Sequence, residues 1–253
     1  MMKFAKILKT GLLATALMVP TASLLADNAM QSIEEAVKSS HRTAEHMQHD
    51  PQRKPAMILE FAGVKPGMTV LDINSGRGYY SEILSSAVGA EGHVIAHNGP
   101  VYWAFMKETS PAGLAERENV TEIHNGKEAF DVPENSVDVA LNALAYHDYF
   151  MSHEASSGEL RSAINASLYQ AIKPGGVLIV IDHIGVAGAD EAEIGKIHRI
   201  DPQRVRSELE AAGFEYAGEA DFLRNPADSP DKPWFGAEVR YSSDRFVYKF
   251  IKK

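Results

Sequence analysis

The chain of 253 residues contains no cysteine. That excludes a disulfide framework, a thiolate metal site, a thiol nucleophile and a lipidated cysteine. It carries only two tryptophans, and its 25 basic residues against 34 acidic ones leave a formal charge of −9. A surface of that sign repels nucleic acid and anionic lipid, and no local basic cluster offsets it, so no nucleic-acid partner is expected. Past the first 26 residues no apolar run approaches the ~20 residues that a bilayer span requires. With 45% apolar residues, no low-complexity tract and no internal repeat, the chain is expected to bury one substantial core.

What is present at the N-terminus is a separate signal. Lys3, Lys6 and Lys9 precede an apolar run from Gly11 to Val19, followed by Pro20 and small residues ending near Ala26. This is the three-part pattern of a secretory signal peptide. The run is shorter than a spanning helix, so cleavage after Ala26 is expected, giving an exported, periplasmic protein with no stable membrane span. Residues 1–26 hold three lysines and no acid, so their loss takes the formal charge from −9 to −12. Residues 27–66 are expected to form an N-terminal helical cap, and 67–253 a single α/β domain.

Strand and helix patterns alternate along that domain. Strands are predicted at Thr69–Ile73, Gly92–Ala96, Val120–His124, Val137–Ala145 and Val177–Ile181, with Phe214–Ala220 and Asp244–Ile251 as a closing antiparallel pair. Helices are predicted at Ala29–Gln48 and Pro55–Phe61, covering one edge of the sheet, and from Tyr79, where Ile83, Leu84, Ala87 and Val88 make an apolar face. Another carries Leu160, Ile164, Leu168 and Ile172 and is expected to stop at Lys173-Pro174-Gly175-Gly176. A last one is capped by Asp201 with Pro202 at its first position. The order predicts an α/β fold: a doubly wound, Rossmann-like, mostly parallel seven-stranded sheet with an antiparallel last strand.

The most informative segment is Met68–Val88, MTVLDINSGRGYYSEILSSAV, in which a strand ends on Asp72 and passes through a glycine-bearing turn into a helix. Its core, VLDINSGRGYY, resembles the first motif of the class I S-adenosylmethionine-dependent methyltransferases, as does KPGG before a strand; the likeness covers about residues 64–220. From about Arg53 onward the chain also resembles a family of predicted, often exported, methyltransferases. That likeness rests on KPAMILEFAGVKPGMTV, LAYHDYF, IDH at Ile181–His183, IHRIDP at Ile197–Pro202, FLRNP at Phe222–Pro226 and DRFVYKF. The resemblance implies S-adenosylmethionine as cofactor and methyl transfer to a small-molecule acceptor. It places Asp72, Asn74, Gly76 and Gly78 around the methionine end, with Tyr79 and Tyr80 opening the helix, and His97, Asn98 and Asn142 completing the cofactor set. Two positions depart from the pattern. Asn74 stands where the first of three alternating glycines belongs, and the second strand runs into His97-Asn98 where the family has an acid that grips the ribose. A nicotinamide cofactor fits worse, because the third glycine of its G-x-G-x-x-G pattern falls on Ser81.

Tyr146, His147 and Asp148, at the end of the fourth strand, and His183, at the end of the fifth, are the expected catalytic residues. His147 is read as a general base, its reference pKa lying near 6.5, with Asp148 orienting it. His198 and Arg199 are expected to contact substrate, Arg199 either gripping a carboxylate or pairing with an acid of the chain. Tyr102, Trp103 and Phe105 read as a lid or core cluster, and Trp234 and Phe235 as anchors of a polar connection. No metal ligand is assigned, since His41, His46 and His49 would spread over about 140° of a helix. The competing reading is an exported binding protein that keeps the crevice and uses its histidine-bearing rim for another ligand or a metal.

Overall fold

Seven strands form one sheet in the order β3-β2-β1-β4-β5-β7-β6. They are β1 Thr69–Ile73, β2 His93–His97, β3 Val120–Ile123, β4 Val137–Ala143, β5 Ile172–His183, β6 Phe214–Ala220 and β7 Arg245–Lys252. The computed structural model describes residues 32–107, 114, 116–125, 130–151, 157–236 and 242–253. The expected leader, the first residues of the helix expected from Ala29 and the side chain of Phe105 lie outside the described residues. The strands β1 to β5 pair in parallel, and β7 inserts antiparallel between β5 and β6, as the alternation of patterns predicts. The central strands are apolar on both faces because both faces are covered. One cluster joins Val70, Val139, Leu141 and Ile179 to Ile83, Leu84 and Val88. The other joins Leu71, Ile73, Ala140 and Leu178 to Ile164, Leu168, Val205 and Leu209. The carboxyl ends of β1, β4 and β5 form a rim where the chain order reverses, the usual ligand position in such sheets.

Three local expectations change. The stretch Ala29–Gln48 is not one helix but α1 over 32–37 and α2 over Ala44–Met47, with α3 at Asp50–Arg53 and α4 at Pro55–Ala62 following. Ser39 and Thr43 compete for the backbone: Ser39 Oγ accepts from the His41 N–H and Thr43 caps α2 by accepting from the His46 N–H. These helices cover a face of the sheet, not an edge. Ile33, Ala36, Ile58 and Leu59 enter the core beside the helix after β1, α5 at Tyr79–Val88. Arg42 grips Asp50 with two bonds of 2.7 Å, the Tyr79 hydroxyl donates to the same carboxylate at 2.7 Å, and His46 Nδ1 meets Glu82 at 2.9 Å. At the other end Arg245 donates to the Gln52 carbonyl and Lys249 to that of Phe61, so the cap bridges α5 and β7.

Lys173-Pro174-Gly175-Gly176 does not separate helix from strand. The helix α7 (α6 being Pro100–Met106), Gly158–Ala171, passes directly into β5, and the register moves from Val137 opposite Ile172 to Val139 opposite Val177, a bulge that absorbs the extra residues. A Cβ at Gly176 would lie 2.7 Å from Ile172 Cγ2 and 2.9 Å from the Lys173 carbonyl, so only glycine fits there. Downstream, α8 spans Glu191–Ile197 and α9 spans Pro202–Ala211, the latter capped by Asp201 as expected.

Candidate functional site

The turn after β1 is built from three left-handed residues, Asn74 (φ 47°), Gly76 (φ 59°) and Gly78 (φ 81°). Asparagine tolerates this backbone because its short side chain bonds locally, here accepting from the Gly99 N–H at 3.0 Å. Asn98 answers from β2: its Oδ1 accepts from the Gly76 N–H at 2.9 Å and its Nδ2 donates to Ser75 Oγ. The two positions that depart from the family pattern therefore stitch the turn to the end of β2. At Gly78 the left-handed backbone favours glycine, while a Cβ would meet only the end of the Leu114 side chain, at 2.8 Å; at Gly76 it would meet the Tyr102 ring at an ordinary 3.6 Å.

Asp72 sits beneath this turn and caps α5, accepting from both the Oγ (2.6 Å) and the backbone N–H of Ser81. Burial outweighs these bonds and pushes its pKa up to about 7. The folded carboxyl thus binds its proton more tightly than the unfolded one, so its contribution to stability is greatest in acid and is lost as pH rises through about 7. His97 turns inward. Its Nδ1 accepts from the Asn74 N–H, its Nε2 bonds the Asn125 carbonyl, and its ring meets Phe130 edge-on. Burial pushes its pKa down to about 4, so it is neutral and committed to the fold. Asn142, level with Ile73 on β1, is buried with an Oδ1 that has no partner.

At the rim two histidines stand 5.8 Å apart, ring to ring, in opposite states. His147 follows β4 through Leu144, a leucine at φ 63° held by its N–H bond to the Ile181 carbonyl at 2.7 Å. Asp182 accepts from the His147 backbone N–H (2.9 Å) and from its Nδ1 (2.7 Å), and Asp148 Oδ1 lies 3.2 Å from Nε2. Burial alone would push the His147 pKa down; Asp182 and Asp148 together push it up to about 10. His147 is therefore an imidazolium with both nitrogens engaged, and Nε2 offers a lone pair only when its proton is given up. That corrects the expectation of a general base oriented by Asp148: Asp182 is the orienting group. His183 is the reverse case. Its Nδ1 meets Ser243 Oγ at 2.6 Å, its ring stacks on Trp234 with centroids 4.7 Å apart, and its buried Nε2 has no partner. Burial, with the charges of His147 and Arg245, holds its pKa well below the ordinary value, so it is neutral.

The remaining expected residues divide. His198 lies at the rim, its ring 5.4 Å from that of His147 and edge-on to Phe235. Arg199 does not: fully buried, it grips Asp228 at 2.7 and 3.0 Å and donates to the carbonyls of Lys232 and Ile184, so it anchors a connection. Tyr146 also faces the core, its hydroxyl donating to Glu208 and accepting from Asn165, both at 2.8 Å. Tyr79 is spent on Asp50, beneath the Arg53 guanidinium, and Tyr80 is buried in the core beside it. Trp103 stacks on His124 with centroids 3.7 Å apart. Sequence reasoning missed Asp182 as the partner of His147, and Ser243 and Trp234 as the supports of His183. The IDH motif was the available signal for the first.

A family model described as protein-L-isoaspartate(D-aspartate) O-methyltransferase matches residues 28–104. The chain is similar to the protein-L-isoaspartate O-methyltransferase of Methanothermobacter thermautotrophicus, 31% identical over 110 residues, 42% of this chain and 49% of that protein. It is also similar to the ubiquinone/menaquinone biosynthesis C-methyltransferase UbiE of Shewanella pealeana, 28% identical over 126 residues, 49% of this chain and 46% of that protein. The chain thus spans about half the length of these curated relatives. Among solved structures, an S-adenosylmethionine-dependent methyltransferase from Aquifex aeolicus superposes with a TM-score of 0.55, covering 81% of this chain and 95% of that one at 23% identity. A 4+2 cyclase, SpnF, superposes with a TM-score of 0.54, covering 92% and 94% at 17% identity. The fold is that of the S-adenosylmethionine-dependent methyltransferases. A cyclase on the same fold means that the reaction has to be argued from the site.

Proposed function

We propose that this chain transfers the methyl group of S-adenosylmethionine to a small-molecule acceptor, with 27–66 as a cap over the catalytic domain 67–253. The observation that carries the reading is a buried, neutral histidine with an unpartnered Nε2 at the same rim as a left-handed glycine turn. The residues fit the methionine half of the cofactor. Gly76 holds the left-handed turn, Asn142 Oδ1 is an acceptor without a donor, and the Asp72 carboxyl, its pKa pushed up to about 7 by burial, would gain a cationic partner. At the ribose end this chain differs, because Asn98 is engaged by the turn and His97 by the core.

When bound, the cofactor supplies an electrophilic methyl group on a sulfonium. The chain's own part is to position the acceptor and take its proton. His183 does the latter through Nε2, in the tautomer whose Nδ1–H donates to Ser243 Oγ, a contact that orients the ring. Its low basicity suffices for an oxygen or sulfur acceptor, whose proton becomes strongly acidic as the atom is alkylated. Trp234 covers one face of the His183 ring.

Calorimetric titration of the chain with S-adenosylmethionine and S-adenosylhomocysteine tests this. Binding of both is expected, tighter at pH 7.5 than at pH 6, because a cationic ligand prefers the ionised form of Asp72 and its pKa lies at about 7. No heat at about millimolar ligand would sink the reading and favour the exported binding protein, for which the engagement of the Gly76 N–H by Asn98 already speaks. We also propose that residues 1–26 direct export to the periplasm, supported by the lysine-led apolar segment. Among the described residues no helix is long and apolar enough to cross a membrane. Cell fractionation with and without residues 1–26 checks it: the shortened chain is expected in the cytosol and the full one in the periplasm, and an identical cytosolic location would refute export.

A further inference from the structure

The proton path through His183 leaves His147, Asp148 and His198 without a role, yet one nitrogen or oxygen from each lies within 4.8 Å of the others. We propose that these three residues form a binding site for a divalent first-row transition ion of the zinc or iron(II) class, ligated by His147 Nε2, the Asp148 carboxylate and His198 Nδ1. Two imidazoles and one carboxylate are a borderline donor set, which selects such ions over magnesium or calcium, whose ligands are oxygens.

The spacing suits an ion. Bonds of about 2.0–2.2 Å in tetrahedral geometry hold ligand atoms roughly 3.3–3.6 Å apart. His147 Nε2 and Asp148 Oδ1 are 3.2 Å apart, and His198 Nδ1 lies 4.0 Å from the same oxygen. The His198 side chain is 25% exposed, and its Nδ1 has to move in from 4.0 Å to complete the set.

The supports around the cluster are those a metal-bound histidine needs. Asp182 takes His147 Nδ1 at 2.7 Å and so aims Nε2 at Asp148, the carboxylate–histidine arrangement that orients metal ligands. His198 reaches the cluster from a left-handed backbone (φ 54°) at the end of α8, and Leu144 (φ 63°) delivers His147 in the same way. Two non-glycine residues held in that region on either side of one cluster are strain of the sort found at ligand sites. The partial exposure of Asp148 and His198 gives an ion a way in and leaves its open positions to water or to an oxygen of the acceptor. Binding exchanges the Nε2 proton of His147 for the ion and releases that proton to solvent.

The proposal rests on the rim geometry and not on methyl transfer, so it is tested without the cofactor. The full chain, stripped with chelator, is titrated with zinc chloride by calorimetry and with cobalt(II), whose visible absorption reports its coordination. One equivalent is expected, with His198→Ala and Asp148→Asn each weakening binding at least about 10-fold and weakening the cobalt bands, and Asp182→Asn weakening it about 10- to 100-fold. Equal stoichiometry and affinity in the wild type and His198→Ala would overturn the site, as would no binding at about millimolar metal. Should Asp182→Asn fail to fold, the half-buried His198 still decides the matter.

Discussion

His183→Ala is expected to lower turnover about 10²- to 10⁴-fold, the range for loss of a positioned general base, while leaving S-adenosylmethionine affinity within a few fold. Formation of S-adenosylhomocysteine with a panel of small thiols, phenols and amines measures the first, and calorimetry the second. The asymmetry follows from placement: His183 closes β5, whereas the turn that would receive the cofactor follows β1. Ser243→Ala should give an intermediate loss, because the ring would lose the hydroxyl at 2.6 Å from Nδ1 that orients it. Equal loss of turnover and cofactor affinity in His183→Ala would mean that the ring supports the fold and moves no proton. His147 is the wrong residue for this experiment. Its removal strands the fully buried Asp182 charge, and any loss of activity would be mixed with loss of structure.

Asp228→Ala is expected to cost about 3–5 kcal/mol of unfolding free energy, because it leaves the Arg199 guanidinium charged and unpaired inside the protein. Both side chains of this pair are fully buried, which distinguishes it from half-exposed pairs such as Arg77–Glu45 or Lys173–Asp138. For a chain of this size the loss corresponds to a melting temperature lower by roughly 6–20 °C. Asp228 also accepts from the backbone N–H groups of Ser229 and Asp244, and Arg199 from its other side binds the Lys232 carbonyl. Breaking the pair therefore frees the connection that carries Trp234 over His183. Urea denaturation measures the effect, and a change below about 1 kcal/mol would show that solvent reaches the pair. Asp228→Asn, which keeps the hydrogen-bond acceptor and loses the charge, should fall between the two.

The order of elements, the β1 turn and the Asp201 cap were legible along the chain because each depends on neighbours a few residues away. Alternating apolar runs give buried strands, glycines permit left-handed backbone, and Asp201 caps the helix that begins one residue later. Of the failures, one was a local competition for the backbone and the other a local signal overridden by a distant contact. Ser39 and Thr43 broke an expected helix, and Lys173-Pro174-Gly175-Gly176 became a bulge because Val137 and Ile172 paired across it.

The identity of the rim residues came from the sequence, but their states did not. Sequence alone determined a doubly wound sheet, a glycine turn after Asp72 and a set of histidines and aspartates at strand ends, since periodicity and turn chemistry act over short range. Only the tertiary structure decided that His147 is charged and His183 neutral, that Asp182 rather than Asp148 orients His147, and that Arg199 is an internal anchor. Each depends on a partner brought from far along the chain, 35 residues for His147 and Asp182, 60 for His183 and Ser243, 29 for Arg199 and Asp228. Burial and the charge of such distant neighbours set a protonation state, and neither exists until the chain has folded.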